Sequence, residues 1–139
     1  MTSALENLVG PSKPLSQEPG DASEIANLIR SGRARLADAQ NTSLATESRF
    51  DLAYNAAHAL ALAALRRLGY RARHRYIVFQ VLPHTLGLGP EVWRVLDKAH
   101  EMRNLAEYEG GTDIEERFVS DVLQACTALL AAIDGVGTS

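Results

Sequence analysis

The residues best suited to chemistry lie close together in the stretch His100-Glu-Met-Arg-Asn-Leu-Ala-Glu-Tyr-Glu-Gly110. On a helix, His100 lies three residues before Arg103 and Glu107 four after it, so all three share one face. Asn104 and Tyr108 complete the set. An arginine presents a planar fork of donors that fits a phosphate. A histidine titrates near neutral pH, whereas a phenol with an ordinary pKa of ~10 does not. Tyrosine can still act as a general acid or bind a phosphate oxygen. His100, Arg103, Glu107 and Tyr108 are therefore chemically competent for phosphodiester cleavage. The competing structural reading is an Arg103–Glu107 intrahelical ion pair, which contributes ~0.3–0.5 kcal/mol, with Tyr108 closing over the core.

A second feature is basic. Arg66, Arg67, Arg71, Arg73 and Arg75, with His74, form the densest positive run in a chain whose net charge is -3. That balance gives no global signal for nucleic acid, so binding requires a local patch. Arg71, Arg73 and Arg75 are candidate phosphate ligands if the run faces the Arg103 cleft. Otherwise the run is a solvated helix end and loop. Tyr70 and Tyr76 interleave it, but bases stack only on exposed rings, and Tyr76 is expected to point inward. His58, on an alanine-rich helix, reads as a core or interface histidine. His84 beside Pro83 points to nothing. Cys126 falls in an apolar helical pattern and reads as a small buried side chain. No set of His, Cys, Asp or Glu has structural zinc spacing, and neither a phosphate-cradling glycine loop nor a Gly-x-Ser-x-Gly elbow occurs. No metal or cofactor is expected.

These residues need a scaffold, and the pattern predicts an all-α bundle of four to five helices. A chain of 139 residues, 46% hydrophobic and 22% charged, can bury roughly 68% of its unfolded surface in a core. Residues 1–20 hold three of the five prolines (Pro11, Pro14, Pro19). They read as an arm and not a packed element, with Leu5, Leu8 and Val9 able to form one docking turn. Residues 21–139 make the bundle. Asp21 or Ser23 caps a first helix running to about Gln40, with Ser31-Gly32 as a possible kink. Thr46 or Ser43 caps a second, running to about Leu68 and stopped by Gly69. Between Ala53 and Ala64 this helix is almost uncharged and carries seven alanines, so it is the centre of the bundle or lies at a dimer interface. A third helix is expected from about Arg73 to Leu86, bent or ended by Pro83. A fourth runs from Pro90 to Gly110, and a fifth, capped by Thr112 or Asp113, ends near Gly135. No segment alternates long enough to predict a strand. The longest apolar-rich run, Ala56 to Leu65, is too short to span a bilayer. With no secretory pattern and one cysteine, the chain reads as cytoplasmic.

With the helices in place, the sequence resembles the HEPN domains (higher eukaryotes and prokaryotes nucleotide-binding) over roughly residues 21–134. The run Arg49-Phe-Asp-Leu-Ala-Tyr-Asn-Ala-Ala-His58 leading to Leu68-Gly-Tyr-Arg71 carries the likeness, together with Arg103-Asn104. The chain is also similar to bacterial HEPN-like proteins of unassigned function that share the Arg-Asn-Leu-Ala-Glu-Tyr-Glu ending. The resemblance implies an up-and-down bundle and a metal-independent ribonuclease motif in which two copies face each other in a cleft. Arg103 matches the motif arginine and Asn104 its polar residue, but the histidine position is Tyr108. It implies, further, a homodimer through the alanine-rich second helix, the fourth helix or both, acting on RNA or a nucleotide as the toxin-like member of a two-gene module. Loss of the histidine opens an alternative, a catalytically silent module working with a nucleotidyltransferase-type antitoxin or other partner. Such a partner could modify Tyr108, although the tyrosine normally modified in the family falls two residues after the histidine, at Gly110 here.

Overall fold

A computed structural model describes the backbone of residues 4–109 and 114–137, and the side chains of 4–105 and 114–135. Among the described residues the chain is mainly helical, with one small pair of strands. After a 3₁₀ turn at Glu6–Leu8, the elements are β1 (Leu15–Gln17), α1 (Ala22–Ala39), α2 (Thr46–Arg67), β2 (Tyr70–Ala72), α3 (Ile77–Gln80), α4 (Leu82–Thr85), α5 (Pro90–Glu109) and α6 (Glu116–Gly137).

The alanine-rich α2 is the central helix. It packs mainly against α1 and α6, and less extensively against α3, α5 and β2. All seven alanines between Ala53 and Ala64 are buried within the single chain, so their small size is explained without a second copy. Ser31-Gly32 leaves α1 unbroken. Gly32 is instead a point of close approach, because a Cβ there would lie 2.6 Å from Leu60 Cγ of α2. The first cap is Asp21, whose side chain accepts from Ser23 N at 3.2 Å. Neither Ser43 nor Thr46 caps α2. Its N-cap is Ala45, and Ser43 is held by Asn41.

The N-terminal arm differs from expectation. Leu5 and Leu15 are buried in the core. β1 pairs antiparallel with β2, Leu15 opposite Ala72 and Gln17 opposite Tyr70. The prolines flank the strand and leave its own backbone donors intact, so three residues can pair where a periodicity test over a longer window finds nothing.

The third helix also differs. Gly69, with a φ of +91°, turns the chain out of α2, and β2 takes the next three residues. Arg73 N then bonds Pro14 O at 2.8 Å. Only Ile77–Gln80 and Leu82–Thr85 remain helical. Pro83 falls in the first turn of α4, where its missing donor leaves no bond unmade.

Among the described residues, one helix is long and apolar enough to cross a membrane, Glu116–Gly135, rather than the stretch Ala56–Leu65. It is amphipathic: Val119, Val122, Cys126, Leu129 and Ile133 are buried, and Ser120, Gln124, Thr127 and Asp134 are exposed. Thr112 and Asp113, the expected caps, lie outside the described residues.

Candidate functional site

Tyr54 of α2, fully buried, is the point on which the polar side chains converge. Its hydroxyl lies 3.0 Å from His100 Nδ1, and the two rings stack at 6.3 Å and 27°. Asn104 Nδ2 lies 3.2 Å from His100 Nε2. His100, Arg103 and Asn104 come from α5, where helical spacing alone brings them to one face. The Arg103 guanidinium carbon sits 4.9 Å from the Tyr54 ring centroid, and that of Arg75, from the β2–α3 loop, 5.7 Å. Arg75 also donates to the Tyr54 hydroxyl at 3.4 Å and to Asn55 Oδ1 at 3.2 Å. Arg103 Nε lies 3.8 Å from Asp51 Oδ1, whose side chain is 63% exposed. Two guanidiniums thus share one aromatic ring. Each such contact stabilises by about 0.5–2 kcal/mol.

The hydrogen bonds constrain His100. With the Asn104 amide donating to Nε2, that nitrogen is unprotonated, and Nδ1–H donates to Tyr54. A flipped amide inverts both roles. In either form the ring is fixed from both ends. One turn beyond Tyr54, half-buried His58 stands edge-on to Phe79 at 6.1 Å. Its pKa falls from 6.5 to about 4, chiefly by burial and then by the positive charge of Arg75 and Arg103, with His100 the smallest contributor. His58 is therefore a neutral member of a cationic neighbourhood, and the four residues belong to one electrostatic site.

The basic run divides. Arg66 is buried, at 2% exposure, and serves the fold. Its Nε donates to Glu24 at 3.0 Å, Nη1 to the carbonyls of Glu18 and Tyr70, and Nη2 to that of Pro19, with Nη2 also 3.0 Å from the Glu18 carboxylate. Arg67 reaches Ile133 O at 3.4 Å. Arg71 pairs with Glu18, and Arg73 donates to Pro11 O at 2.9 Å. Of the three candidate phosphate ligands, Arg75 alone touches the Tyr54 cluster. Arg71 and Arg73 instead join it, with His58 and His74, in lining an adjoining pocket of about 170 Å³.

Of the residues that sequence singles out, His100, Arg103, Asn104 and Arg75 are brought together. The side chains of Glu107 and Tyr108 lie outside the described residues, so the expected ridge is seen only in its first half. Tyr76 does not point inward, being 38% exposed. Sequence reasoning missed Tyr54, Asn55 and Asp51 as site residues. Their signal was present, since Asp51 and Asn55, and Tyr54 and His58, recur four residues apart on an otherwise apolar helix. Cys126 is buried, its Sγ donating to Ala53 O at 3.2 Å, and burial pushes its thiol up to about 12, so it is no nucleophile. Among the described residues no group of His, Cys, Asp and Glu could hold a metal ion.

In comparison with known proteins, no family model, curated protein or solved structure matches the chain.

Proposed function

We propose that this protein is a HEPN-like module that binds RNA and cleaves its phosphodiester bonds without a metal, as the toxin-type member of a two-gene system. The observation that carries the reading is the convergence of Arg103, Asn104 and His100 from α5 with Arg75 from a distant loop on the ring of Tyr54. In this scheme Arg103 and Arg75 hold the scissile phosphate and offset its growing charge. His100 takes the proton of the ribose 2′-hydroxyl as that oxygen attacks phosphorus. The bond to the 5′-oxygen breaks as that oxygen takes a proton from water, giving a 2′,3′-cyclic phosphate and a 5′-hydroxyl end. Tyr54 and Asn104 orient the imidazole, and Tyr108 stands at the motif position of the missing histidine. A second copy completes the cleft as a homodimer. The test is cleavage of single-stranded RNA by the purified protein in EDTA, compared with Arg103→Ala. Equal rates would remove the assignment.

One observation favours a second reading, a silent binding module. Both ring nitrogens of His100 are already engaged, by Tyr54 and Asn104, so substrate must displace Asn104 before the ring can move a proton. In that case the partner is a nucleotidyltransferase-type protein, with Tyr108 as its target. Intact-mass measurement after co-expression decides it, an unmodified chain counting against this alternative.

A further inference from the structure

Beyond the Arg103 cluster, a row of aromatic rings leads from the surface to Tyr54. The His74 and Tyr76 rings lie nearly parallel, 5.7 Å apart with 13° between planes. Tyr76 is 5.9 Å from His100, and His100 stacks on Tyr54. The outer two rings are exposed. Arg75 lies between them in sequence, yet its guanidinium turns inward to Tyr54 and Asn55. Two faces result: a ring pair open to solvent, and beside it a guanidinium that reaches the candidate phosphate position. The pocket lined by His58, Arg71 and Arg73 opens along the same loop.

Apolar ring surface held in water beside fixed cations is the combination that binds single-stranded nucleic acid, in which bases stack on aromatic faces while the backbone follows the positive groove. We infer that His74 and Tyr76 form a base-stacking platform that extends the row outward, so that the substrate is a single strand with an unpaired base on this pair and its adjoining phosphate between Arg75 and Arg103. The inference rests on the functional reading above and adds a substrate class to it. The paired interior of a duplex cannot use this platform, because the faces of its bases are already covered by their neighbours.

The test is a cycle in ring and base. Binding of a fluorescein-labelled uridine decamer, and of the same decamer with abasic sugars, is measured by anisotropy for the wild-type protein, His74→Ala, Tyr76→Ala, Tyr76→Phe and Arg103→Ala. Loss of one stacked base is expected to weaken the wild-type protein about tenfold for the abasic strand. Tyr76→Ala and His74→Ala should lose the same factor for the normal strand and none for the abasic one, while Tyr76→Phe keeps wild-type affinity. A misfolded variant would instead lose both strands alike, and melting temperatures measured in parallel identify it. If Tyr76→Ala and His74→Ala bind the normal strand as tightly as wild type while Arg103→Ala does not, the platform is wrong and the phosphate site stands. If wild type binds neither strand, the platform falls together with the functional reading beneath it.

Discussion

Arg66 and the Arg75/Arg103 pair use the same side chain in opposite ways. Arg66 lies under the N-terminal arm with carboxylates and carbonyls facing each of its nitrogens. Nothing is left for a ligand. Its role is to bind β1, α1 and the end of α2 into one unit. Arg75 and Arg103 rest on the π face of Tyr54 at the rim of the bundle. An aromatic ring lowers the cost of fixing a guanidinium without cancelling its charge. Arginines in one basic run are thus divided into a structural knot and a cationic site by what surrounds them.

The comparison can be broken most forcefully at the knot. Arg66→Ala removes the cation from a buried network and should cost about 3–5 kcal/mol of stability, read by urea unfolding. Arg66→Met tests whether the charge or the volume matters, and full recovery of stability would show that the ion pairs contribute nothing net.

The next effect belongs to the site. Arg103→Ala should slow RNA cleavage about 100-fold, the scale of losing one group that stabilises transition-state charge. Its unfolding free energy should fall by no more than about 2 kcal/mol, less than at Arg66, since it gives up a cation–π contact with Tyr54 and a long ion pair with Asp51. A large loss of stability would make Arg103 a second structural knot and erase the contrast.

Gly32→Ala acts on the structural side alone. Its Cβ would meet fully buried Leu60 at 2.6 Å, and overpacking of this kind costs about 1–3 kcal/mol. Oligonucleotide affinity should be unchanged at temperatures where the variant is folded.

A last effect is with pH. The folded pKa of His58 lies near 4, below the 6.5 of the unfolded chain. Between those values the unfolded state binds the extra proton, so stability rises with pH across the window. The contribution is complete above about 6.5 and is lost as pH falls toward 4. His58→Gln should flatten this part of the stability profile, checked by thermal melts from pH 4 to 7. An unchanged slope would show that folding does not lower the pKa of His58.

Much of this was legible from local pattern. The ends of α1 and α2 follow from Asp21 as a cap and Gly69 as a stop, and the central place of α2 follows from its alanines. His100, Arg103 and Asn104 fall on one face because helical geometry fixes residues three and four apart. The misses have a common origin. β1 and β2 are three residues each, below what a periodic signal can reveal, and each strand is held by the other from more than fifty residues away. The long third helix was expected because 73–86 has helical apolar spacing. Residues 70–73 gain more by bonding to the arm, and the helix is cut to α3 and α4. Tyr76 was placed inside on the strength of that same helix and lost its reason to be buried when the helix did.

The sequence by itself determined the helical class, the core stripe of α2 and α6, and the grouping of His100, Arg103 and Asn104, because each depends on neighbours within one or two turns. Only the tertiary structure decided which arginine is locked in a buried network and which rest on an aromatic ring at the rim. That outcome depends on Glu18, Glu24 and Tyr54, which lie far from them in sequence. Charge is a property of the residue, but its availability is set by the desolvation and the partners that long-range packing supplies.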